Sequence, residues 1–240
     1  MLDVATGPGL AAAAARVRGA SATCVDVSPG MVALAQQAHP GMEFQVAEVV
    51  ALPFPDGSFN AVICNSGVSH FPQPEAALAE CVRVLVPGGT LAFSWWDLPE
   101  RQRVQGLFRE AIAELRLVPP PEVPQGHDIL RFADPNAFAG LLWGAGLAEV
   151  SVSAHGTNHL MPNVEALWQA GIGGMAVTSA AVAAQDAATQ DRAREVIARL
   201  AEDYRGPRGL EIPIAYSSVQ DINRLHKMLR SRDLLPISIR

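Results

Sequence analysis

Short apolar segments alternate with segments of helical periodicity over the first hundred residues of the chain. The apolar segments predict five strands, at residues 2–5, 22–25, 44–46, 61–64 and 90–96. Between them, Ser28 followed by Pro29 is typical of a helix N-cap with proline at the first helical position. Residues 61–64 are apolar on both faces, as in a buried parallel strand. This alternation predicts an α/β protein with a doubly wound, mostly parallel sheet covered by helices on both faces.

The second half of the chain is less regular. An apolar stripe predicts an amphipathic helix over residues 99–117, and the proline-rich residues 118–124 predict a stiff connector. Asp134 and Pro135 predict the start of a helix that ends near Gly144. The sequence also predicts a strand at 150–152, a helix over 196–204, and a last strand at 210–215, in which Pro213 indicates an edge position.

These patterns predict four parts along the chain. Residues 1–97 form the regular sheet core, and residues 98–133 form a helical and proline-rich insertion. Residues 134–217 supply the remaining strands and helices of the same domain, and residues 218–240 form a basic tail. We expect residues 98–133 and 160–205 to form a lid over an acceptor site, or else an additional packing layer without a ligand role.

Composition and charge exclude several classes of protein. Hydrophobic residues make up 49% of the chain and charged residues 18%, which is enough for a sizeable core. The net charge of -6 disfavours a general nucleic-acid binder. The sequence predicts neither a transmembrane helix nor a signal peptide. The three cysteines lie in apolar runs without metal-ligand spacing, so we expect reduced, buried thiols, a cytoplasmic protein and no metal site.

The sharpest motif is the turn between the first strand and the first helix. Gly7 and Gly9 allow a tight turn that a ligand can approach, and Asp26 ends the next strand, where it could accept hydrogen bonds from ribose hydroxyls. With Ala12, the two glycines also satisfy the G-x-G-x-x-G/A pattern of dinucleotide-binding proteins. An NAD-dependent oxidoreductase is therefore one hypothesis.

Two residues of this motif argue against a pyrophosphate ligand. Pro8 lacks the N–H that a phosphate would use, and the Asp3 carboxylate would repel phosphate. A cationic nucleoside without phosphates, such as the sulfonium S-adenosylmethionine (SAM), fits both residues better.

Five segments in order over roughly residues 1–97 resemble class I SAM-dependent methyltransferases. The residues 3–9 are similar to the first motif of that family and residues 24–31 to its acidic second-strand segment. The other similar segments are residues 47–54, 55–62 and 83–89. Together they resemble the small-molecule branch that includes ubiquinone and menaquinone methyltransferases. The resemblance implies a Rossmann-like, seven-stranded sheet with helical lid insertions, and methyl transfer from SAM to a small-molecule acceptor by in-line displacement.

The resemblance also implies roles for individual residues. Four would surround the methionine part of SAM: Asp3, Ala5, Gly7 and Gly9. Asp26 would hold the ribose, or else cap the next helix, and Met31 would pack near the adenine, or else belong to the core. Glu48 and Val49 would meet the adenine edge, although the family usually has aspartate in place of Glu48. Asn65 and Ser66 would lie near the methionine amine and the sulfonium.

Catalysis in such a site depends mainly on alignment of the acceptor, and a general base helps when the acceptor carries a proton of high pKa. His70 is the first candidate base, with a packing or substrate-shaping role as the alternative. Asp97 is the second candidate, unless it caps a turn; His155 and His159 are weaker candidates. Trp95 and Trp96 either form a wall of the acceptor pocket or belong to the core.

Both ends of the chain depart from the family pattern. Met1 lies at the first strand, where relatives usually have an upstream helical segment that covers SAM. A mis-set start, a fragment, or a partner chain that makes the protein an oligomer would each explain this. Residues 218–240 carry five Lys or Arg against two Asp, and Ile222, Leu225, Met228 and Leu229 keep helical spacing. Such a tail could close the sheet edge or dock on an acidic partner; membrane binding is disfavoured. A third hypothesis is therefore a non-catalytic protein that binds SAM or a partner on the same scaffold.

Overall fold

The computed structural model describes residues 1–119, 128–147 and 149–221 of the chain. Its strands are β1 (Leu2–Val4), β2 (Thr23–Asp26), β3 (Glu43–Val46), β4 (Phe59–Asn65), β5 (Leu85–Trp96), β6 (Val150–Met161), β7 (Arg205–Gly206) and β8 (Gly209–Asp221). Its helices are α1 (Leu10–Val17), α2 (Pro29–Ala38), α3 (Pro74–Arg83), α4 (Arg103–Glu114), α5 (Pro135–Gly144), α6 (Val164–Gly174), α7 (Ala176–Ala183) and α8 (Ala187–Ala201).

The strands of the described residues form one sheet in the order β3-β2-β1-β4-β5-β8-β6, and the short β7 pairs with β8. β1 is parallel to both β2 and β4, β2 is parallel to β3, and β4 is parallel to β5. The chain therefore moves outward from β1 to β3 and then returns to continue on the other side of β1 with β4 and β5. The predicted α/β fold with a mostly parallel, doubly wound sheet is confirmed.

The chain divides into two compact units. Of the described residues, the first unit contains Met1–Trp95, Asp134–Ser153 and residues 218–221, and the second contains those within Trp96–Ala133 and Ala154–Ser217. The long strands β6 and β8 each begin in one unit and end in the other.

The core of the first unit consists of strand residues whose side chains are covered on both faces of the sheet. Leu2, Val4 and Val62 have no exposed surface, and Phe93 is 2% exposed. Apart from the buried Asp3, β1 is apolar, and so are the central residues 61–64 of β4, because a strand covered on both sides buries side chains on both faces. Cys24, Cys64 and Cys81 are free and buried in this unit, as predicted. Burial raises the pKa of the Cys24 and Cys81 thiols to about 12, so they are poor nucleophiles.

The second unit has its own helical core. Leu107, Phe108 and Ala111 of α4 are fully buried with Leu167 and Trp168 of α6 in one apolar cluster. The Phe108 and Trp168 rings stack with centroids 5.9 Å apart. The amphipathic helix predicted over residues 99–117 is confirmed as α4, and the helix predicted over 196–204 is confirmed as the last part of α8 with a following turn.

Three local predictions were wrong. The Pro-Gly-Gly sequence at residues 87–89 was expected to lie between helix and strand, but it lies within β5, where a bulge opposite Phe59–Ala61 accommodates it. The prediction of an edge strand from Pro213 fails because β8 lies between β5 and β6. Residues 218–221, assigned to the tail, continue β8. The predicted helical spacing from Ile222 onward, and most of the predicted connector at 118–124, lie outside the described residues.

Candidate functional site

The candidate site lies where the sheet changes its direction of winding. β1 and β4 are neighbours, but the connection after β1 leads to β2 and the connection after β4 leads to β5. The two connections therefore diverge and leave a crevice at the carboxyl ends of these strands, which is where ligands bind in open α/β sheets. Residues 5–9 follow β1 and residues 66–67 follow β4, so both segments border this crevice.

The glycine turn after β1 is built from left-handed backbone conformations. The φ angle is 51° at Ala5, 54° at Gly7 and 82° at Gly9. A Cβ added at Gly7 would have no heavy atom within 4 Å, whereas one at Gly9 would lie 2.9 Å from the Phe44 ring. Gly9 thus allows the turn to pack closely on β3, and Gly7 faces open space. The open space at Gly7 is room that a ligand could use.

Asp3, in the strand that precedes this turn, stabilises it through buried hydrogen bonds. Its side chain is fully buried, and Oδ2 accepts hydrogen bonds from Thr6 Oγ1 at 2.8 Å and from the Ala12 N–H at 3.2 Å. Its other oxygen, Oδ1, is buried without a hydrogen-bond partner. Burial raises the pKa of the Asp3 carboxyl to about 7, and the charge of Asp26 adds to this shift. An unpaired buried carboxylate oxygen beside a crevice fits a cationic ligand, which would offset its desolvation.

Asp26 joins the end of β2 to the same turn. Its Oδ2 accepts the Gly7 N–H at 2.8 Å and its Oδ1 accepts the Ser28 N–H at 2.9 Å. The helix N-cap itself is the Ser28 hydroxyl, which accepts the Met31 N–H at 3.3 Å. A carboxylate can accept about four hydrogen bonds, so Asp26 retains acceptor capacity for ribose hydroxyls.

The segment after β4 meets the glycine turn closely. Ser66 has a φ of 59°, and its N–H donates to the Ser94 backbone oxygen at 3.1 Å. The Ser94 hydroxyl donates to Asn65 Oδ1 at 2.8 Å. At Gly67, an added Cβ would lie 2.8 Å from the Ala5 Cβ. Left-handed, non-glycine residues at Ala5 and Ser66 thus follow two adjacent strands, and such strained positions cluster at functional sites.

Residues proposed for the adenine side follow β2 and β3. Met31, in the first turn of α2, is 44% exposed, so the alternative that it belongs to the core is wrong. Glu48 is exposed and Val49 is half-buried in the segment after β3. The Ala47 N–H at the start of that segment donates to the Asp26 backbone oxygen at 3.0 Å. These residues therefore follow strands at the same end of the sheet as the glycine turn.

His70 is the candidate base in the first unit. It ends a short 3-10 turn, Val68–His70, after β4. Its ring packs edge-on against the buried Trp95, with centroids 5.2 Å apart. Although the residue as a whole is exposed, partial burial of its ring desolvates the imidazole and lowers the pKa of His70. The ring is therefore neutral, and able to accept a proton, at a lower pH than an ordinary histidine.

The second candidate base, Asp97, belongs to the other unit. Its Oδ1 accepts the Leu98 N–H at 2.7 Å, and its Oδ2 forms a 2.6 Å ion pair with Arg101. This arrangement supports the alternative that Asp97 caps a turn. His155, which stacks on Tyr216 with centroids 5.0 Å apart, and the half-buried His159 lie in the second unit as well. The candidate residues around the glycine turn therefore all belong to the first unit, whereas Asp97, His155 and His159 belong to the second.

Several residues of the site were missed by sequence reasoning. Thr6 and Ser94 supply hydroxyls to Asp3 and Asn65, and Gly67 permits the close approach of two turns. A polar residue such as Ser94 within an apolar strand is a signal that could have been used. Within the described residues, no cluster of three or more His, Cys, Asp or Glu could hold a metal ion. No helix among the described ranges is long and apolar enough to span a membrane.

A separate open groove of about 430 Å³ lies within the second unit. It is lined by Arg101, Gly156, Thr157, Asn158, Pro213, Ile214 and Ala215. The Arg101 guanidinium that lines it is already paired with Asp97, so it offers little free charge to an anion.

Comparison with known proteins finds similarity over the part of the chain that contains this site. Residues 2–93 match the family model described as a methyltransferase domain. Demethylmenaquinone methyltransferase of Chlorobaculum parvum is 43% identical over 90 residues, which cover 37% of this chain and 37% of that protein. The ubiquinone/menaquinone biosynthesis C-methyltransferase of Methylobacterium nodulans is 34% identical over 172 residues, covering 63% of this chain and 66% of that protein. The chain thus spans less than two thirds of the length of these relatives.

Solved structures with the same fold extend over more of the chain. A protein of Anabaena variabilis assigned as a methyltransferase of an antibiotic biosynthesis pathway has a TM-score of 0.62 and 18% identity, covering 90% of this chain and 88% of that chain. A protein of Bacillus halodurans, also assigned as a methyltransferase, has a TM-score of 0.51 and 18% identity over 91% of this chain and 89% of that chain. At this identity the similarity concerns the fold. The resemblance inferred from the five sequence segments is confirmed.

Proposed function

We propose that this chain, whose residues 2–93 match the methyltransferase-domain family, transfers a methyl group from SAM to a small-molecule acceptor. The observation that carries the proposal is the glycine turn held between two carboxylates. Asp3 holds it from beneath through Thr6 and Ala12, and Asp26 holds it from the next strand through Gly7. The carboxylate oxygens of Asp3 and Asp26 can accept hydrogen bonds, and there is open space at Gly7. Together these features fit a nucleoside that carries a positive charge and no phosphate.

The residues present fit this cofactor. Asp26 would accept the ribose hydroxyls, while Met31 and the Glu48–Val49 segment would border the adenine. Asp3, Ala5, Gly7 and Gly9 would surround the methionine part, and Asn65 with Ser66 would lie near its amine and the sulfonium. When bound, SAM supplies a methyl group that is already activated by the sulfonium.

The work left to the protein is alignment, exclusion of water and removal of a proton. The fixed turns after β1 and β4 restrict where a ligand can lie, which favours the in-line geometry that substitution requires. His70 would accept the proton that the acceptor loses, since its lowered pKa keeps the imidazole neutral. The alternative role of His70 is packing against Trp95.

We propose an apolar or weakly polar acceptor of the quinone type. The support is the similarity to relatives named for demethylmenaquinone and for ubiquinone/menaquinone biosynthesis. Residues 98–133 and 160–205 are the segments predicted to cover this acceptor. That these residues act as a lid stays a prediction.

The first experiment is calorimetric titration of the purified chain with SAM, and with NADH for comparison. We expect micromolar binding of SAM and no binding of NADH. Incubation with SAM and a reduced demethylated naphthoquinone, followed by mass spectrometry, then tests for a gain of one methyl group. Binding of SAM without methylation of any quinol offered would favour the non-catalytic hypothesis, and binding of NADH in place of SAM would overturn the proposal.

A further inference from the structure

An ion pair on α3 holds the segment that follows β3. The Arg83 guanidinium donates to both carboxylate oxygens of Glu80, through Nε at 2.6 Å and Nη2 at 2.8 Å. It also donates to the backbone oxygens of Phe54 at 2.8 Å and Leu52 at 3.1 Å, and to Asp56 Oδ1 at 2.8 Å. All five hydrogen bonds therefore come from the single planar guanidinium group of Arg83, and a lysine ammonium could not form the same set.

Glu80 completes the attachment of Leu52. Its Oε2 accepts the Leu52 N–H at 2.9 Å, so the N–H and the C=O of Leu52 are both bound by the same ion pair. The Leu52 side chain is 4% exposed and adds apolar burial to this anchor. By contrast, the Asp56 side chain is 81% exposed, and an ion pair with such an exposed partner contributes little. The hydrogen bonds from Glu80 and Arg83 to Leu52 therefore contribute more than the Arg83–Asp56 ion pair.

The segment of residues 47–52 is attached at its other end to Asp26, the residue proposed to bind the ribose. The Ala47 N–H donates to the Asp26 backbone oxygen at 3.0 Å. Between these two attachments, the Ala51 N–H donates to the Glu48 backbone oxygen at 3.1 Å and closes a turn over residues 48–51. Glu48 and Val49, the residues proposed to meet the adenine, thus lie in a turn that is fixed on both sides.

We propose that Arg83 and Glu80 are positioning residues that hold the turn at residues 48–51 in the orientation that recognises the adenine ring. They act through Leu52 and touch no cofactor atom themselves. This inference rests on the proposed function, because adenine recognition presupposes SAM as the ligand. The pair raises the pKa of Arg83 and lowers the pKa of Glu80, so both remain charged at neutral pH.

The test compares the affinity for SAM with the affinity for its inosine analogue, in which a carbonyl oxygen replaces the adenine amine. The wild type should prefer SAM. In Arg83→Gln the affinity for SAM should fall roughly tenfold or more, and the affinity for the inosine analogue should fall less. The preference for SAM should therefore shrink, because a turn that is no longer held in place cannot distinguish the adenine amine from a carbonyl. Arg83→Lys should behave similarly, and Asp56→Asn is the matched control that should retain the wild-type preference.

A second measurement does not depend on any ligand. Hydrogen exchange of the peptide spanning residues 47–52, in the free protein, should be faster in Arg83→Gln than in the wild type or in Asp56→Asn. If Arg83→Gln does not fold, Glu80→Gln replaces it, since the amide retains an oxygen for the Leu52 N–H while the charge is lost.

The outcomes separate the two proposals. A variant with a lower melting temperature but an unchanged preference for SAM overturns the positioning role and leaves the pair purely structural. Unchanged exchange at residues 47–52 also overturns it. A folded wild type that binds neither ligand overturns the proposed function, and the adenine role of the pair with it.

Discussion

The Gly7 N–H donates a 2.8 Å hydrogen bond to Oδ2 of Asp26, although 19 residues separate them along the chain. The bond fastens the glycine turn after β1 to the end of β2. Asp26 therefore has a structural function in the free protein in addition to its proposed contact with the ribose. Any test of the ribose contact has to separate the two.

Replacement of Asp26 by alanine should weaken SAM binding by about 1–3 kcal/mol, through loss of the ribose acceptors and of the Gly7 anchor. Calorimetry with SAM and with its 2′-deoxyribose analogue distinguishes these contributions. If Asp26 holds the hydroxyl groups, the wild type prefers SAM and Asp26→Ala binds both ligands alike. A variant that still prefers SAM would show that the ribose is held elsewhere.

The buried Asp3 carboxyl should make the stability of the free protein depend on pH. Its pKa is about 7 in the folded chain against an ordinary value of 3.8, so the folded state keeps a proton that the unfolded state releases. The stability contributed by this group is complete below about pH 4 and is lost as the pH rises toward 7. Urea unfolding between pH 4 and 8 should show wild-type stability declining relative to Asp3→Asn. Parallel curves for the two proteins would refute the shift.

Replacement of His70 by alanine should slow methyl transfer by ~10²-fold if the imidazole is the general base. Affinity for SAM should stay unchanged, and the acidic limb of the wild-type rate profile should lie below the ordinary histidine pKa of 6.5. His155→Ala, at an exposed histidine of the second unit, is the control. A normal rate in His70→Ala would assign the residue to packing against Trp95.

Replacement of Gly67 by alanine should destabilise the protein by about 1–3 kcal/mol, since overpacking forces neighbouring atoms to move. The new Cβ would lie 2.8 Å from both the Ala5 Cβ and the Cys64 Sγ, so the turns after β1 and β4 must separate. Affinity for SAM should fall as well. Gly140→Ala in α5, where an added Cβ meets nothing within 4 Å, should instead be neutral or stabilising. Equal unfolding midpoints for the two variants would contradict the close approach at Gly67.

Local chemistry was sufficient to predict most of the strands and helices of the first hundred residues. Ser28 and Asp134 are followed by proline and cap helices as expected, because a cap depends on residues within one turn. The order of strands and helices and the glycine motif predicted the doubly wound sheet and the region of the site. These features could be predicted because the determining residues are close together in sequence.

The features that the sequence could not reveal depend on distant partners. The pairing of β5 with β4 outweighs the turn tendency of residues 87–89, and the position of β8 between β5 and β6 outweighs the preference of Pro213 for an edge. Arg83 finds Leu52 and Phe54 some thirty positions away in the chain, at separations of 31 and 29 residues. The raised pKa of Asp3 requires burial on all sides, which packing creates. Sequence thus specified the local turns, caps and motifs, whereas long-range pairing and desolvation arise when the chain packs, because they depend on which distant groups are brought together.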